Sequence, residues 1–478
     1  MKKIIVVIGV LLFFTKINAQ QDLSLYYQEW LPQSTISNPA IQNECKAYFG
    51  GLALPIVGQV LPNMHFNYSN NNWSYKDLVH SRDTMILIDN NSIETMLKNI
   101  RHVNYITMET HLPYLYGGYK INDKYYVTFG VTDKVDFKYS MPRDLLVLAW
   151  EGNGKQFLGN TIDFTGLGID FTYYREYALG FSWKINDKWT VGIRPKMLFG
   201  KMNIYTCSSN ITWETNADDY SYLIHSDVEV NISQPFYEIT KFDYDYENDS
   251  LIYEDTVYDV NPKKMIFNNH NFGLGVDLGA IYKVNDKITL YASALDLGYI
   301  KWKTNPQTLK IKGDFLYDGY NVRPFLEEND SINDANADQF RDSVIHIFEP
   351  QYQKNTYTSY LTPKIYVGGT YQWKEFLNFG ALARFEFYRY VLHPSLTLSA
   401  NSRLTNWFGA TMSYTIMNRS FLNIGLGLIF KIGPVQMFVA SDNFWGFIWP
   451  QSTRNMNIRM GTNIRIGCKK YEGATLIH

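Results

Sequence analysis

Residues 272–303 read FGLGVDLGAIYKVNDKITLYASALDLGYIKWK. On both sides of KVNDK, residues 283–287, large apolar side chains alternate with glycine and polar residues. Because successive side chains of a β-strand point to opposite faces, this alternation predicts two strands, each with one apolar and one polar face. The central Asn-Asp is a turn signal, since both residues tolerate positive φ and bond to the local backbone. The stretch is therefore predicted to form a β-hairpin.

Nearly the same turn sequence occurs twice more in the chain. KINDK occurs at 120–124 and again at 184–188, each time between two strand-like runs. The flanking lysines keep such a turn in water. We therefore interpret the repeat as a set of hairpin tips and not as a binding element.

The strands between these turns are long, and their length suggests a membrane protein. Alternation continues over roughly ten residues, for example in 422–430 and 456–468, which is the length that a tilted strand needs to cross a bilayer. Aromatic residues make up 16% of the chain, with 37 Tyr and 29 Phe. Strands of soluble sandwiches are usually about five or six residues long. The pattern predicts an all-β fold, a transmembrane antiparallel β-barrel, with a secreted β-sandwich as the alternative.

The predicted wall has an even number of strands, as a closed bacterial barrel requires. The fourteen strands are predicted at 46–57, 104–119, 125–138, 161–183, 188–206, 268–282, 288–303, 361–373, 377–390, 393–403, 407–417, 421–431, 435–443 and 455–468. Short and long links alternate along the chain. Short turns of such barrels face the periplasm and long loops face outside, so the repeated turns are predicted to lie on the periplasmic rim.

The first residues are typical of a secretory signal peptide. Lys2 and Lys3 precede an apolar run, Ile4 to Phe14, that is too short to span a bilayer as a helix, and Ala19 is the expected cleavage position. An uncleaved anchor is the alternative. The predicted location is the outer membrane of a Gram-negative bacterium. The predicted division of the chain is a signal peptide at 1–19, an N-terminal plug segment at 20–45, a barrel at 46–468 and a periplasmic tail at 469–478.

Composition and motifs argue against catalysis and nucleic-acid binding. The net charge of −2 gives no basic surface for nucleic acid. The three cysteines and nine histidines show no metal-ligand spacing, and no nucleophile motif or phosphate loop is present. We expect no enzymatic activity, no cofactor and no metal.

Parts of the chain resemble a family of outer-membrane barrels of unknown function found in Bacteroidetes. The resemblance is carried by residues 272–303, by ISNPAI at 36–41, and by FTGLGIDFTYYREYALGFSWKINDKWTVGIRPKMLFGKMNI at 164–204. More distantly, the layout looks like FadL-type transporters and the related PorV-type barrels of type IX secretion. This resemblance implies fourteen strands and a plug motif at Asn38, Pro39 and Ala40. It also implies passive passage of a small hydrophobic molecule, with a structural or docking barrel in a secretion or assembly complex as the alternative.

The predicted inward faces carry most of the candidate functional residues. Eight charged residues have inward parity: Glu176, Arg194, Lys196, Asp277, Arg384, Glu386, Arg459 and Arg465. They are either the ordinary polar lining of a barrel or the docking surface for a plug formed by residues 20–45. The expected partners are membrane lipid, a hydrophobic small molecule, and outer-membrane or periplasmic proteins.

Three further features of the predicted wall can be checked against the structure. Centring the second hairpin on Asn186 places Trp183 opposite Trp189 and Glu176 opposite Lys196. Pro195 is a candidate wall kink or a tolerated bulge, because proline cannot donate to a ladder. Cys45 and Cys468 fall at the two ends of the barrel sequence, where a disulfide would pin the closure.

Overall fold

A computed structural model of the chain describes residues 23–54, 61–70, 80–82, 85–87, 96–97, 100–154, 156–235, 242–245, 250–253, 262–317, 351–388, 391–417, 420–449 and 453–468. The predicted signal peptide, 1–19, and the predicted tail, 469–478, lie outside the described residues.

The chain is built almost wholly of antiparallel strands. In order these are β1 Cys45–Gly50, β2 Met64–Asn70, β3 His80–Arg82, β4 Met85–Leu87, β5 Val103–Lys120, β6 Tyr125–Pro142, β7 Thr161–Asp163, β8 Gly168–Lys184, β9 Trp189–Thr215, β10 Tyr222–Ser233, β11 Phe242–Asp245, β12 Ser250–Tyr253, β13 Asn271–Lys283, β14 Ile288–Trp302, β15 Pro306–Tyr317, β16 Gln351–Gln353, β17 Tyr357–Tyr360, β18 Lys364–Lys374, β19 Leu377–Tyr388, β20 Val391–Ser402, β21 Phe408–Met417, β22 Ser420–Ile432, β23 Val435–Ser441 and β24 Asn455–Cys468. The helices are short: α1 Ser34–Ser37, α2 Arg143–Glu151, α3 Pro262–Ile266 and α4 Trp445–Ile448. Within the described residues, no helix is long and apolar enough to cross a membrane.

The wall is a closed barrel with fourteen strand positions, as the sequence predicted. Strands β1 and β2 share the first position, because both pair with β5 on one side and with β24 on the other. The remaining positions are β5, β6, β8, β9, β13, β14, β18, β19, β20, β21, β22, β23 and β24. Pairing of the first position with β24 closes the ring, so the wall has no open edge.

The two faces of the wall differ as the alternation requires. Large apolar side chains point outward, and Leu179, Met197 and Met412 are 62%, 51% and 60% exposed. Their neighbours along the strands, such as Lys196 and Thr411, point inward and are buried. An outward apolar surface is the surface that a bilayer can solvate.

The three repeated turns adopt one geometry. In the second copy, the side-chain Oδ1 of Asn186 accepts bonds from the backbone N–H groups of Lys188 and Trp189 at 2.9 and 2.8 Å. Asn122 and Asn285 make the same pair of bonds in the other copies. The asparagine is therefore the residue that closes each tip.

The predicted register of the second hairpin is wrong by two residues. Trp183 pairs with Val191, not with Trp189, and Glu176 pairs with Leu198. The centre of the turn falls on Asp187 and not on Asn186, and this displacement by one residue moves every ladder partner by two. A shift of two residues preserves the face of every side chain, so the predicted inward and outward faces still hold.

The first strand position is interrupted. Strand β1 ends at Gly50, β2 begins at Met64, and the chain leaves the ladder between them. Just after β1, backbone bonds still hold the chain to the wall: Leu52 donates to the carbonyl of Pro113 at 3.0 Å, and Ala53 donates to that of Tyr114 at 2.9 Å. This is the main departure from the predicted strand at 46–57.

One side of the barrel extends beyond the wall. Strand β9 is 27 residues long, and its outer half pairs with β10, which in turn pairs with β15. This extension belongs to the long-link side, so it lies outside the cell in the predicted orientation.

Replacing Asn122, Asn186 and Asn285 together by Ala should lower the free energy of unfolding by about 1 kcal/mol for each turn, because every tip loses its two side-chain bonds to the backbone. Urea unfolding of the refolded barrel in lipid vesicles measures this. The control is Asp187→Ala, which removes an exposed carboxylate and its 2.8 Å ion pair with Lys184 from one tip. Because exposed ion pairs contribute little to stability, the urea midpoint should stay at the parent value. Equal midpoints for the triple variant and the control would contradict the role of asparagine.

Candidate functional site

The N-terminal segment, residues 23–44, runs through the inside of the barrel. The backbone N–H groups of Leu23 and Ser24 donate to the carboxylate of Asp442 at 3.1 and 2.7 Å. At the other end, the Glu44 carboxylate accepts bonds from Arg403 and Arg465 at 3.0 and 2.5 Å. Both ends of the segment are thus fixed to inward-facing groups of the wall.

Apolar side chains of the segment pack against the wall in two clusters. One contains Leu23, Tyr26, Tyr27, Ala40 and Ile41 of the segment with Ile281, Tyr291, Leu295, Tyr366 and Leu382 of the wall. The other contains Leu25, Trp30 and Leu31 with Ile429, Phe438 and Ala440. Burial also raises the pKa of the Tyr27 phenol well above its usual value, so it remains a neutral donor to the carbonyl of Ala381, 2.6 Å away.

Asn38 organises the predicted plug motif. Its amide nitrogen donates to the hydroxyl of Tyr26 at 3.1 Å and to the carbonyl of Ala292 at 3.2 Å. Its amide oxygen accepts from the backbone N–H of Ala40 at 3.0 Å. Asn38 is fully buried, so each of these bonds replaces one that water would otherwise make. The motif therefore fixes a turn and joins it to the wall.

Inward-facing glycines make room for the segment. A Cβ atom at Gly192 would overlap the backbone of Pro39, and one at Gly279 would overlap the side chain of Asn38. Gly380 lies against the ring of Tyr27 in the same way. The glycine content of these inward faces is therefore explained by the backbone and side chains that pack onto them.

Arg194 connects the segment to the charged wall. Its Nε donates to Asp277 at 2.7 Å, and its terminal nitrogens donate to the carbonyls of Thr35 and Ile36 at 3.4 and 2.9 Å. These carbonyls belong to α1, whose C-terminal end carries partial negative charge. Of the predicted lumen charges, Arg194 and Arg465 bind the N-terminal segment directly.

The other predicted charges lie inside the barrel: Glu176, Lys196, Asp277, Arg384 and Glu386 belong to ion-pair networks, and Arg459 lines the internal cavity. Lys196 lies 2.7 Å from Asp277, 2.7 Å from Asp296 and 3.3 Å from Glu176. The structure thus brings Glu176 and Lys196 together although they are not ladder partners. Arg384 and Glu386 pair on one strand at 2.5 Å, and Lys138 approaches Glu386 to 3.2 Å.

Several charged members of these networks were missed by the sequence analysis. Asp296 lies within a bulge, where Leu295 and Asp296 together stand opposite Asp277, and it has a positive φ of 59°. The bulge reverses the inward face of β14, so simple alternation could not place it. Lys134 pairs with Glu176 and Asp296 at 2.8 and 3.3 Å. It lies on β6, for which no inward-facing charged residue was predicted.

An internal cavity lies beside the N-terminal segment. The volume of this cavity is about 80 Å³, which is enough for a few water molecules. Its wall contains both apolar and charged residues. The apolar ones include Ile36, Met64, Leu295, Phe438 and Met460, and the charged ones include Arg194, Glu109, Lys364 and Arg459. Asn63, Met64 and His65 contribute from the point where the first strand position resumes.

Pro195 does not break its strand. β9 continues through it, and Pro195 is the ladder partner of Val276. On the β8 side the ladder omits Leu179 and Gly180 opposite Arg194 and Pro195, which is where a residue without an N–H can be tolerated. The larger irregularity of the wall is the interruption between β1 and β2.

The predicted cysteine pair joins the first strand position to the last. Cys45 and Cys468 are ladder partners, and their sulfur atoms are bonded at 2.09 Å. Arg465 donates to the Cys45 sulfur at 3.0 Å, beside its bond to Glu44. The covalent link, the closure of the barrel and the end of the N-terminal segment therefore meet at one place.

Thiol titration of the denatured protein should find one reactive thiol without reductant and three with it, since Cys207 is exposed and free of a disulfide while Cys45 and Cys468 are bonded. Three thiols without reductant would contradict the disulfide. A Cys207→Ser variant is the control and should lower each value by one.

Gly380→Val should loosen the N-terminal segment, because the added side chain overlaps the Tyr27 ring, and overpacking costs about 1–3 kcal/mol. A cysteine placed at Ser34, in a Cys207→Ser background, should then react with a water-soluble maleimide roughly tenfold faster. Gly130→Val is the matched control, since a Cβ there meets only the Tyr116 Cβ at 3.8 Å. Equal labelling rates in the two variants would contradict the packing of Tyr27 on Gly380.

Solved structures show distant likeness to this chain. The toluene transporter TbuX of Ralstonia pickettii is 10% identical, with 91% of this chain and 94% of that chain covered and a TM-score of 0.41. A Pseudomonas aeruginosa FadL homologue is 11% identical, with 90% and 91% covered and a TM-score of 0.35. The translocator domain of the autotransporter NalP from Neisseria meningitidis is 8% identical, with 91% and 93% covered and a TM-score of 0.32. At this level of similarity the likeness carries no argument about what this chain binds or does.

Among curated proteins, none matches the chain. A family does match over residues 39–442, from the plug motif to the residue that follows β23. The matched region includes the inward-facing glycines and most of the charged lumen. The chain therefore belongs to the family of unknown function DUF5723.

Proposed function

We propose that this chain is an outer-membrane transport barrel of a Gram-negative bacterium, through which a small hydrophobic molecule passes without an energy source. The N-terminal segment 23–44 acts as the plug of this barrel, and passage requires its displacement. The closure of the barrel and its outward apolar surface support the location, and the predicted signal peptide is consistent with it. The expected partners are membrane lipid and the transported molecule.

The observation that carries the proposal is how the N-terminal segment is held. It is buried in the lumen, and packing and hydrogen bonds join it to the wall. Each net hydrogen bond is worth about 0.5–1.5 kcal/mol, so a ligand or a partner can exchange these contacts for its own.

The cavity shows why displacement is needed. Pockets that enclose a drug-sized ligand have volumes of about 300–1,000 Å³, whereas this one has room for a few waters. Its apolar wall residues, among them Met64 and Met460, lie beside the interrupted strand position. Movement of the adjoining Ile36 and Ser37 would enlarge the cavity in the direction of that interruption.

The paired charges are compatible with an apolar ligand. Lys134, Lys196, Lys364 and Arg194 each have an acidic partner within 3.3 Å. Pairing reduces the field in the lumen and leaves few groups that demand water. The apolar side chains of the cavity can therefore supply contact area between fixed ion pairs.

Deleting residues 22–44 should raise single-channel conductance in a planar bilayer, because the N-terminal segment then no longer occupies the lumen. Truncation of residues 471–478 is the control and should leave conductance at the parent value. Heat-dependent gel mobility verifies that both truncated proteins still form barrels. Parent conductance in the 22–44 deletion would contradict the plug.

A docking role is the second candidate, and the outer extension favours it. Leu223 and Leu316 are ladder partners there, 40% and 63% exposed, and Tyr220 beside them is 65% exposed. Such side chains suit a protein partner of a secretion or assembly complex. Pull-down from membranes separates the two roles: stable capture of one protein, lost in a Leu223→Ser, Leu316→Ser variant with conductance unchanged, would favour docking over transport.

A further inference from the structure

A group of metal-ligating side chains lies on the lumen wall, on strands β2, β5 and β6. The ladder places His65 opposite His111, and Asn67 opposite Glu109. On the other side of β5, Glu109 faces Asp136 and His111 faces Lys134. Residues at alternate positions share a face, so both histidines and both carboxylates point inward together.

The ligand atoms are close to one another. One ligand atom from each of Glu109, His111 and Asp136 lies within 4.8 Å of the others. The Nδ1 atoms of His65 and His111 are 3.2 Å apart. Two nitrogens bound to one tetrahedral zinc ion at 2.0–2.1 Å would be separated by about 3.3–3.4 Å. At this distance the two Nδ1 atoms share a hydrogen bond. The distance is also close to the nitrogen–nitrogen spacing around one zinc ion, so an ion there would replace the proton between the two rings.

The donor set suits a divalent transition metal. Imidazole nitrogen and carboxylate oxygen are the ligands that zinc and its neighbours take in proteins. The two carboxylates also balance the charge of the ion. Calcium and magnesium, which prefer a shell of oxygens alone, are disfavoured by two imidazoles.

Two lysines lie near the group, and each is paired with carboxylates. Lys364 donates to the two oxygens of Glu109 at 3.1 and 3.0 Å. An ionised carboxylate has about four lone-pair sites, so it can hold a metal and a lysine together, and such outer partners commonly orient ligands. The charge of Lys134 is directed to Glu176 and Asp296.

We propose that His65, His111, Glu109 and Asp136 form a binding site for a divalent transition-metal ion of the zinc class. The ion joins β2 to β5 and β6 where the first strand position resumes after its interruption. It reaches the site from the internal cavity, whose wall includes His65, His111 and Glu109. The proposal does not depend on transport, since a docking barrel would hold the same ion.

The test is equilibrium dialysis of the full-length protein against zinc chloride, followed by elemental analysis, with an affinity tag that contains no histidine. One zinc ion per chain is expected. The His65→Gln, His111→Gln variant should lose it. Asp136→Asn keeps the shape of a ligand and should weaken affinity by more than the roughly 10- to 100-fold that follows loss of an outer partner.

The matched control is His225→Gln. His225 is an exposed histidine on the outer extension, 2.5 Å from Asp314, and is the kind of surface pair that collects adventitious zinc. This variant should still bind one ion. Cobalt bound to the parent protein should show the intense visible absorption of a four-coordinate site, and the double variant should not.

Substoichiometric zinc in the parent, or equal zinc in the parent and in His65→Gln, His111→Gln, would overturn the proposal. Loss of the ion only in His225→Gln would assign the binding to the surface. Heat-dependent gel mobility of the variants shows whether they fold, and Asp136→Asn, which changes a single group, carries the test if the double variant does not.

Discussion

Closure of the backbone hydrogen bonding around the ring is the constraint on which the rest of the structure depends. In a bilayer no water can satisfy an open strand edge, so the first strand position must pair with the last. That pairing forces every second side chain inward, and fourteen strands enclose more space than their own side chains fill. The buried N-terminal segment, the glycines that receive it and the ion pairs around it all occupy that space.

The wall departs from regular pairing on both sides of β24. On one side the first strand position is interrupted between Gly50 and Met64. On the other, β23 ends at Ser441, and the N–H of Phe444 donates to the carbonyl of Ile424 at 2.7 Å before α4 begins. Backbone groups at both places are paired outside the ladder. The disulfide joins β24 to its neighbour β1, and His65 lies on β2, which also pairs with β24. The candidate metal site and the disulfide are therefore close to the irregular part of the wall.

Alternation along long strands was sufficient to predict the barrel and the number of wall positions. It could not predict the register of the second hairpin, because the position of the turn centre depends on which backbone groups Asn186 bonds. It also missed Asp296, since a bulge reverses the inward face there. The excursion between β1 and β2 was hidden because the second half of that position, Met64–Asn70, lies beyond a stretch with no strand pattern. The site at His65 and His111 joins residues that are distant in the chain and adjacent only through the ladder.

The central claim is that residues 23–43 are folded inside the lumen of the resting barrel. Hydrogen–deuterium exchange of the full-length protein in lipid vesicles tests it most directly, without any substitution. The backbone N–H groups of Leu31, Ser34 and Asn38 bond within the segment and are buried, so peptides from this region should exchange as slowly as the wall strands. Exchange as fast as that of the exposed hairpin tips at 122–124 and 186–188 would contradict the account.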